Sequence, residues 1–169
     1  MPGFVDLHAH AGSPQKAPIT DYVYKLWLAH GVTTVRGVGL ASLEFSLSEK
    51  NRSESNKITA PRIWAYQRPG QGKDWRGGKV QDPQTARKWV RYAANKGVDG
   101  VKLVSYEPDL MEALIDEAIK QKLGTTAHLG QTGVARMNTI DAARLGLGTQ
   151  THFYGLFESM YEPVSYTHL

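Results

Sequence analysis

The chain has 169 residues, 41% hydrophobic and 21% charged, with a formal net charge of +4 and no cysteine. This composition suits one globular core and excludes disorder as the main state. The missing cysteines exclude disulfides and thiolate metal sites, so any metal must be held by imidazole, carboxylate or a modified lysine. No apolar stretch approaches the roughly 20 residues that cross a bilayer, and Lys and Arg are scattered without a basic block, so neither membrane nor nucleic acid is expected as a partner.

In chain order, the first predicted element is a strand over Phe4 to Leu7, inside the run PGFVDLHAH. Strand alternation sends His8 and His10 to one face with Phe4 and Asp6, leaving Val5 and Leu7 on the other. Tyr22 to His30 reads as a helix closed by Gly31, and Thr33 to Val38 as a second strand. Leu40 to Ser55 is read as a helix on a poor apolar stripe, and Arg62 to Tyr66 as a third strand. Asp82 is a good N-cap with Pro83 at the first helical position, and Ala86, Val90 and Ala93 form an apolar stripe ending before Gly97.

A fourth strand is read at Gly100 to Val104. The helix that starts at Pro108 buries Met111, Leu114, Ile115 and Ala118, and Gly124 stops it. Thr125 to His128, a short helix at Thr139 to Leu145 and a sixth strand at Thr149 to Phe153 complete the pattern. Strands alternating with helices imply a parallel sheet with right-handed crossovers, either open or closed into a barrel.

An isolated HxH is more often a structural pair than a ligand pair. Here Lys102, His128 and His152 also fall at or near the ends of later strands. Side chains converging from the C-terminal ends of several strands are the habit of a (β/α)₈ barrel, whereas an open sheet would carry a glycine-rich phosphate loop after its first strand, and none follows Leu7. The expected fold class is therefore α/β, a partial TIM barrel with about six of the eight βα units.

His30, beside Gly31 at a helix end, reads as structural. Tyr66, Gln67, Arg68, Gln131 and Tyr154 follow strands and are candidates for substrate contact. The glycine-rich basic loop Arg68 to Lys79 suits either a cover over an anionic substrate or a plain exposed loop. Unsealed first and sixth strands predict oligomerisation or poor solubility.

These residues resemble the amidohydrolase superfamily of metal-dependent hydrolases. PGFVDLHAH is similar to its strand-1 signature, GVTTVRG to its second strand, ITAPRI to the lead into its third and GVDGVKLV to the strand-4 segment whose lysine is carboxylated in many members. Within the superfamily the imidazolonepropionase-like and Xaa-Pro dipeptidase-like group is most similar.

The resemblance implies a hydrolase of a C-N bond in an amide, cyclic amide or dipeptide, using a binuclear centre and bridging hydroxide. His8 and His10 would hold one divalent ion, His128 and His152 a second, and Lys102, carboxylated, would bridge them, with zinc as the default metal. The strand-8 aspartate that serves such enzymes as general base is absent from this chain. An incomplete barrel over residues 1–163 is thus expected, a part of an enzyme and itself inactive, the alternative being a non-catalytic metal-binding fragment. VSYTHL, residues 164–169, resembles one reading frame of a transposase end sequence used in sequencing libraries, which makes a non-native tail the expectation. Any targeting peptide would lie upstream of Met1, so the compartment stays open, as does the oligomeric state.

Overall fold

The computed structural model describes residues 2–11 and 20–160; the expected tail at 164–169 lies outside them. Six strands, β1 (Phe4–Ala9), β2 (Val32–Val38), β3 (Arg62–Gln67), β4 (Gly100–Leu103), β5 (Gly124–Ala127) and β6 (Thr149–Gln150), pair in parallel in sequential order. Five helices alternate with them: α1 (Thr20–Ala29), α2 (Leu43–Glu54), α3 (Pro83–Lys96), α4 (Pro108–Lys120) and α5 (Thr139–Arg144). A short 3₁₀ turn at Glu158–Met160 follows.

Three of the helices, α2, α3 and α5, form where a side chain caps their first turn. The Asp82 side chain accepts from the Thr85 backbone N–H, Pro83 supplies a preset φ, and Gly97 closes α3 in the left-handed region at φ 92°. α2 has little apolar periodicity but is real: Ser42 caps it, and its inner face buries Leu43 together with Ser46, Glu49 and Ser53. Ser53 donates to the Pro61 carbonyl and Glu49 pairs with Arg52, so two of the three polar side chains on that face have partners. α5 carries a complete capping box between Asn138 and Asp141.

The helices cover the convex face of the sheet. One core packs Trp89, Val90, Met111, Leu114 and Ile115 of α3 and α4 against Val101, Leu103 and Ala127, and a second packs Tyr24 and Leu40 against Ala9, Val35 and Ile63. The alternate residues of the strands face the concave side. Arg36 of β2 donates there to the Thr149 hydroxyl at 2.9 Å and to the Thr126 hydroxyl at 3.3 Å. In a flat sheet β2 and β6 would stand about 19 Å apart, four inter-strand spacings. The contact therefore requires the sheet to curl on itself, and the architecture is a curled half-barrel of six βα-type units, a partial TIM-like barrel.

Two strand expectations are corrected. β6 ends at Gln150 rather than Phe153, because His152 adopts φ 68°, which no extended strand accommodates. On β1, register shifts interrupt the pairing with β2 between Phe4 and Val5 and between Asp6 and Ala9. Val5 and Leu7 consequently line a concave-side cavity with Arg36 and Tyr66, while His8 still turns to the same interior. The bulge turns His8 and His10 to the side that Val5 and Leu7 also face, against the simple alternation expected from the sequence.

Asp99, just before β4, fastens these layers. One carboxylate oxygen accepts from Lys50 of α2 and the other from the Ala65 backbone N–H of β3, both at 2.7 Å. Asp99→Ala is expected to lower the unfolding free energy by about 2 kcal/mol, since a largely buried charge-assisted bond is removed and Ala65 is left without its acceptor. Urea denaturation measures this, and a change within about 0.5 kcal/mol, the range of ordinary surface substitutions, would contradict the role.

Candidate metal centre

The C-terminal ends of β1, β4, β5 and β6 bring all five sequence-predicted residues to one mouth. His8 Nε2 and His10 Nε2 stand 3.1 Å apart. The His8 ring lies 5.0 Å from that of His152, which lies 4.5 Å from that of His128, centroid to centroid. Lys102, only 1% exposed, extends its amine to the Thr151 hydroxyl at 3.3 Å, and Thr151 in turn donates to the Ala127 carbonyl. Tyr154 stacks on His128 with an interplanar angle of 3°.

Local backbone chemistry sets these positions. The His8 N–H donates to the Asp6 carboxylate at 2.8 Å, which pins the turn of the bulge. His152 reaches the cluster through its left-handed conformation, uncommon for a residue with a Cβ and a form of strain found at functional sites. His10 is held by a hydrogen bond to the Gly39 backbone. Such outer contacts orient ligating imidazoles.

The electrostatics favour neutral bases. Burial, then the Lys102 charge and the neighbouring histidines, lowers the His8 pKa to about 4. Burial likewise lowers His10 and His128, with Lys102 and Arg68 adding to it. Burial, then Arg68 and Arg36, brings Lys102 down to about 8. Among the described residues, no carboxylate is among the groups acting on Lys102 or His128.

A divalent ion fits this donor set. Burial favours the neutral form of His8, His10 and His128, the state that ligates metal, and the His8 Nδ1 atom is buried without a hydrogen-bond partner among the described residues. Two nitrogens on one tetrahedral zinc would stand about 3.3 Å apart, close to the His8–His10 separation. Among the described residues, no three His, Cys, Asp or Glu side chains converge in a metal-holding arrangement. The histidines form a chain of ring contacts, not a closed ligand set.

Other candidates divide. His30 is structural as expected, with Nδ1 2.8 Å from the Leu26 carbonyl oxygen. Tyr66 fills the barrel interior: a Cβ at Gly100 would stand 2.4 Å from its ring and one at Gly124 1.9 Å from its hydroxyl, so both glycines make room for it. Gln67 is fully buried and donates to the Ala41 carbonyl, which removes it from substrate contact. Arg68 and Gln131 are exposed.

Sequence reasoning missed Arg36 and Thr151; a charged residue inside the apolar run TTVRGV was the available signal for the first. A cavity of about 760 Å³ opens at the opposite end of the strands, between Thr33, Arg62 and Asp99, and its lining contains no histidine. It is the open floor of the arc rather than a second mouth. Among the described residues no helix is long and apolar enough to cross a membrane.

No family model matches this chain, and no curated protein does. Solved structures do. A crystal structure of an amidohydrolase is 24% identical with a TM-score of 0.67, covering 90% of this chain and 48% of that one. A Xaa-Pro dipeptidase with methionine bound in its active site is 21% identical with a TM-score of 0.70, covering 88% of this chain and 47% of that one. The fold is amidohydrolase-like, and the chain spans about half the length of these neighbours.

In metal-free protein the histidine cluster makes stability depend on pH. Below about 6.5 the unfolded chain binds a proton at His8 that the folded chain refuses until about pH 4. Stability is thus fully present above about pH 6.5 and falls as the pH drops toward 4. Melting temperature against pH is expected to decline more steeply over that window for wild type than for His8→Gln; parallel curves would contradict the assignment.

Proposed function

We propose that this chain carries the metal-binding core of a hydrolase that cleaves C-N bonds in small amides, cyclic amides or dipeptides. The observation that carries the reading is the run of ring contacts that links His10, His8, His152 and His128, beside a buried amine, Lys102, at the C-terminal mouth of a TIM-like half-barrel. The amidohydrolase and dipeptidase neighbours support the reaction class, and the methionine held by the dipeptidase supports a small amino-acid-like substrate.

In this reading His8 and His10 hold one divalent ion, zinc by default, and His128 and His152 a second. When bound, such ions supply Lewis-acid polarisation of a carbonyl and an activated water. The rest is done by the chain. Burial favours the unprotonated form of His8, His10 and His128, so their nitrogens stay available. A Lys102 pKa of about 8 leaves a usable fraction of free amine. That amine attacks the carbon of carbon dioxide, a C-N bond forms, and one proton leaves, giving a carbamate.

Lys102 thereby exchanges a buried positive charge for a negative one, beside two guanidiniums, Arg36 and Arg68, that act on it electrostatically. Arg68, exposed at the mouth, is the group placed to meet an anionic part of the substrate. Tyr154 holds the plane of the His128 ring.

A second reading, metal binding without turnover, is favoured by one observation: among the described residues no carboxylate acts on Lys102 or His128 that could take up a proton during hydrolysis. Zinc-loaded protein equilibrated with ¹³C-bicarbonate is expected to show a carbamate carbon signal that vanishes in Lys102→Ala; its absence in metal-loaded wild type would contradict the bridging role. Release of amino acid from a dipeptide series then separates the two readings. Zinc-dependent turnover that falls about 100-fold or more in His8→Ala supports the enzyme. A zinc-bound, folded and inert chain supports binding alone.

A further inference from the structure

The electrostatic effect of Arg36 on Lys102 does not account for the way this arginine is buried and held. Its side chain is only 8% exposed, yet among the described residues it forms no ion pair. A buried charge without a counter-charge is costly, so its hydrogen bonds must account for its presence. There are three: Nε donates to the Leu7 carbonyl at 2.7 Å, and the two terminal nitrogens to the Thr149 and Thr126 hydroxyls. The guanidinium also lies over the Tyr66 ring, 5.1 Å from its centroid.

Each acceptor has a meaning in the register. Leu7 is the residue immediately before His8, at the β1 bulge. Thr126 pairs with both Lys102 and Thr149 across β4, β5 and β6, so the two hydroxyls belong to the row that carries the buried lysine. Two residues beyond Thr126 stands His128, and three beyond Thr149 stands His152. β1 and β6 are the two ends of the sheet and share no backbone hydrogen bond. The spacing between them is otherwise transmitted only the long way round, through four intervening strands.

We infer that Arg36 is a positioning residue: a cross-barrel tie that fixes the β1 histidines against the β5 and β6 histidines and so sets the His8–His152 approach across the open interior. A planar fork with several directed donors can hold three acceptors from three strands at once, which a lysine ammonium on a flexible stem cannot reproduce. The tie itself is independent of metal; its consequence for metal affinity rests on the metal-centre reading above.

The test compares metal-free wild type, Arg36→Lys and the double variant Thr126→Val, Thr149→Val by proton NMR, reading through-space contacts between imidazole rings. Wild type is expected to show His8–His10, His8–His152 and His128–His152 contacts. In both variants His8–His152 is expected to disappear while the other two persist, because each of those pairs lies on one side of the tie. A general loosening would move all three together.

The threonine variant keeps every charge and provides the measurement should Arg36→Lys fail to fold. Retention of His8–His152 in either folded variant, loss of all three contacts at once, or failure of the threonine variant to fold would overturn the proposal. Zinc affinity by competition titration is expected to fall about tenfold or more in Arg36→Lys. Wild type that binds no zinc but shows the selective loss would remove the metal reading and leave the tie standing.

Discussion

The curl of the parallel sheet is the constraint on which the rest depends. Strand pairing alone would leave β1 and β6 at opposite ends of a six-stranded array, and no side chain could bridge that distance. Curled, the same strands place His8 against His152, and Arg36 against Thr126 and Thr149. The helices enforce the curl from outside, through the packing of α3 and α4 on β4 and β5 and of α1 on β2, while Arg36 and Tyr66 occupy the inside.

The second governing feature is a concave interior rich in nitrogen. Arg36 and Lys102 are buried within it, four imidazoles crown it, and Arg68 overlooks it. Burial and neighbouring charge push His8, His10, His128 and Lys102 toward their neutral forms, a route that arginine does not have. The outcome is a set of nitrogen donors of lowered basicity beside fixed guanidiniums, an environment that stabilises cations bound through lone pairs and anions formed between them. A carbamate on Lys102 answers both demands.

How much was legible in the sequence follows the range of the interaction concerned. α3 was readable to the residue because Asp82, Pro83 and Gly97 fix its ends locally. The five candidate residues were readable as strand-end residues, and fall at one mouth, because strand ends are local features too. α2 gave a poor stripe because its buried face is partly polar, with Glu49 and Ser53 satisfied by Arg52 and the Pro61 carbonyl. β6 was read too long because nothing in the letters around His152 announces a left-handed backbone. The bulge after Asp6 and the tie made by Arg36 depend on partners 29 to 113 residues away, which no window on the sequence contains.

The central claim is that the four histidines and Lys102 constitute a metal site. Elemental analysis of the purified chain beside its His8→Ala, His10→Ala double variant tests it most directly. The account predicts close to two equivalents of zinc or a similar divalent ion in the wild type, with marked loss in a variant that remains folded. A folded wild type that carries no metal after incubation with zinc, or equal metal in both proteins, would contradict it.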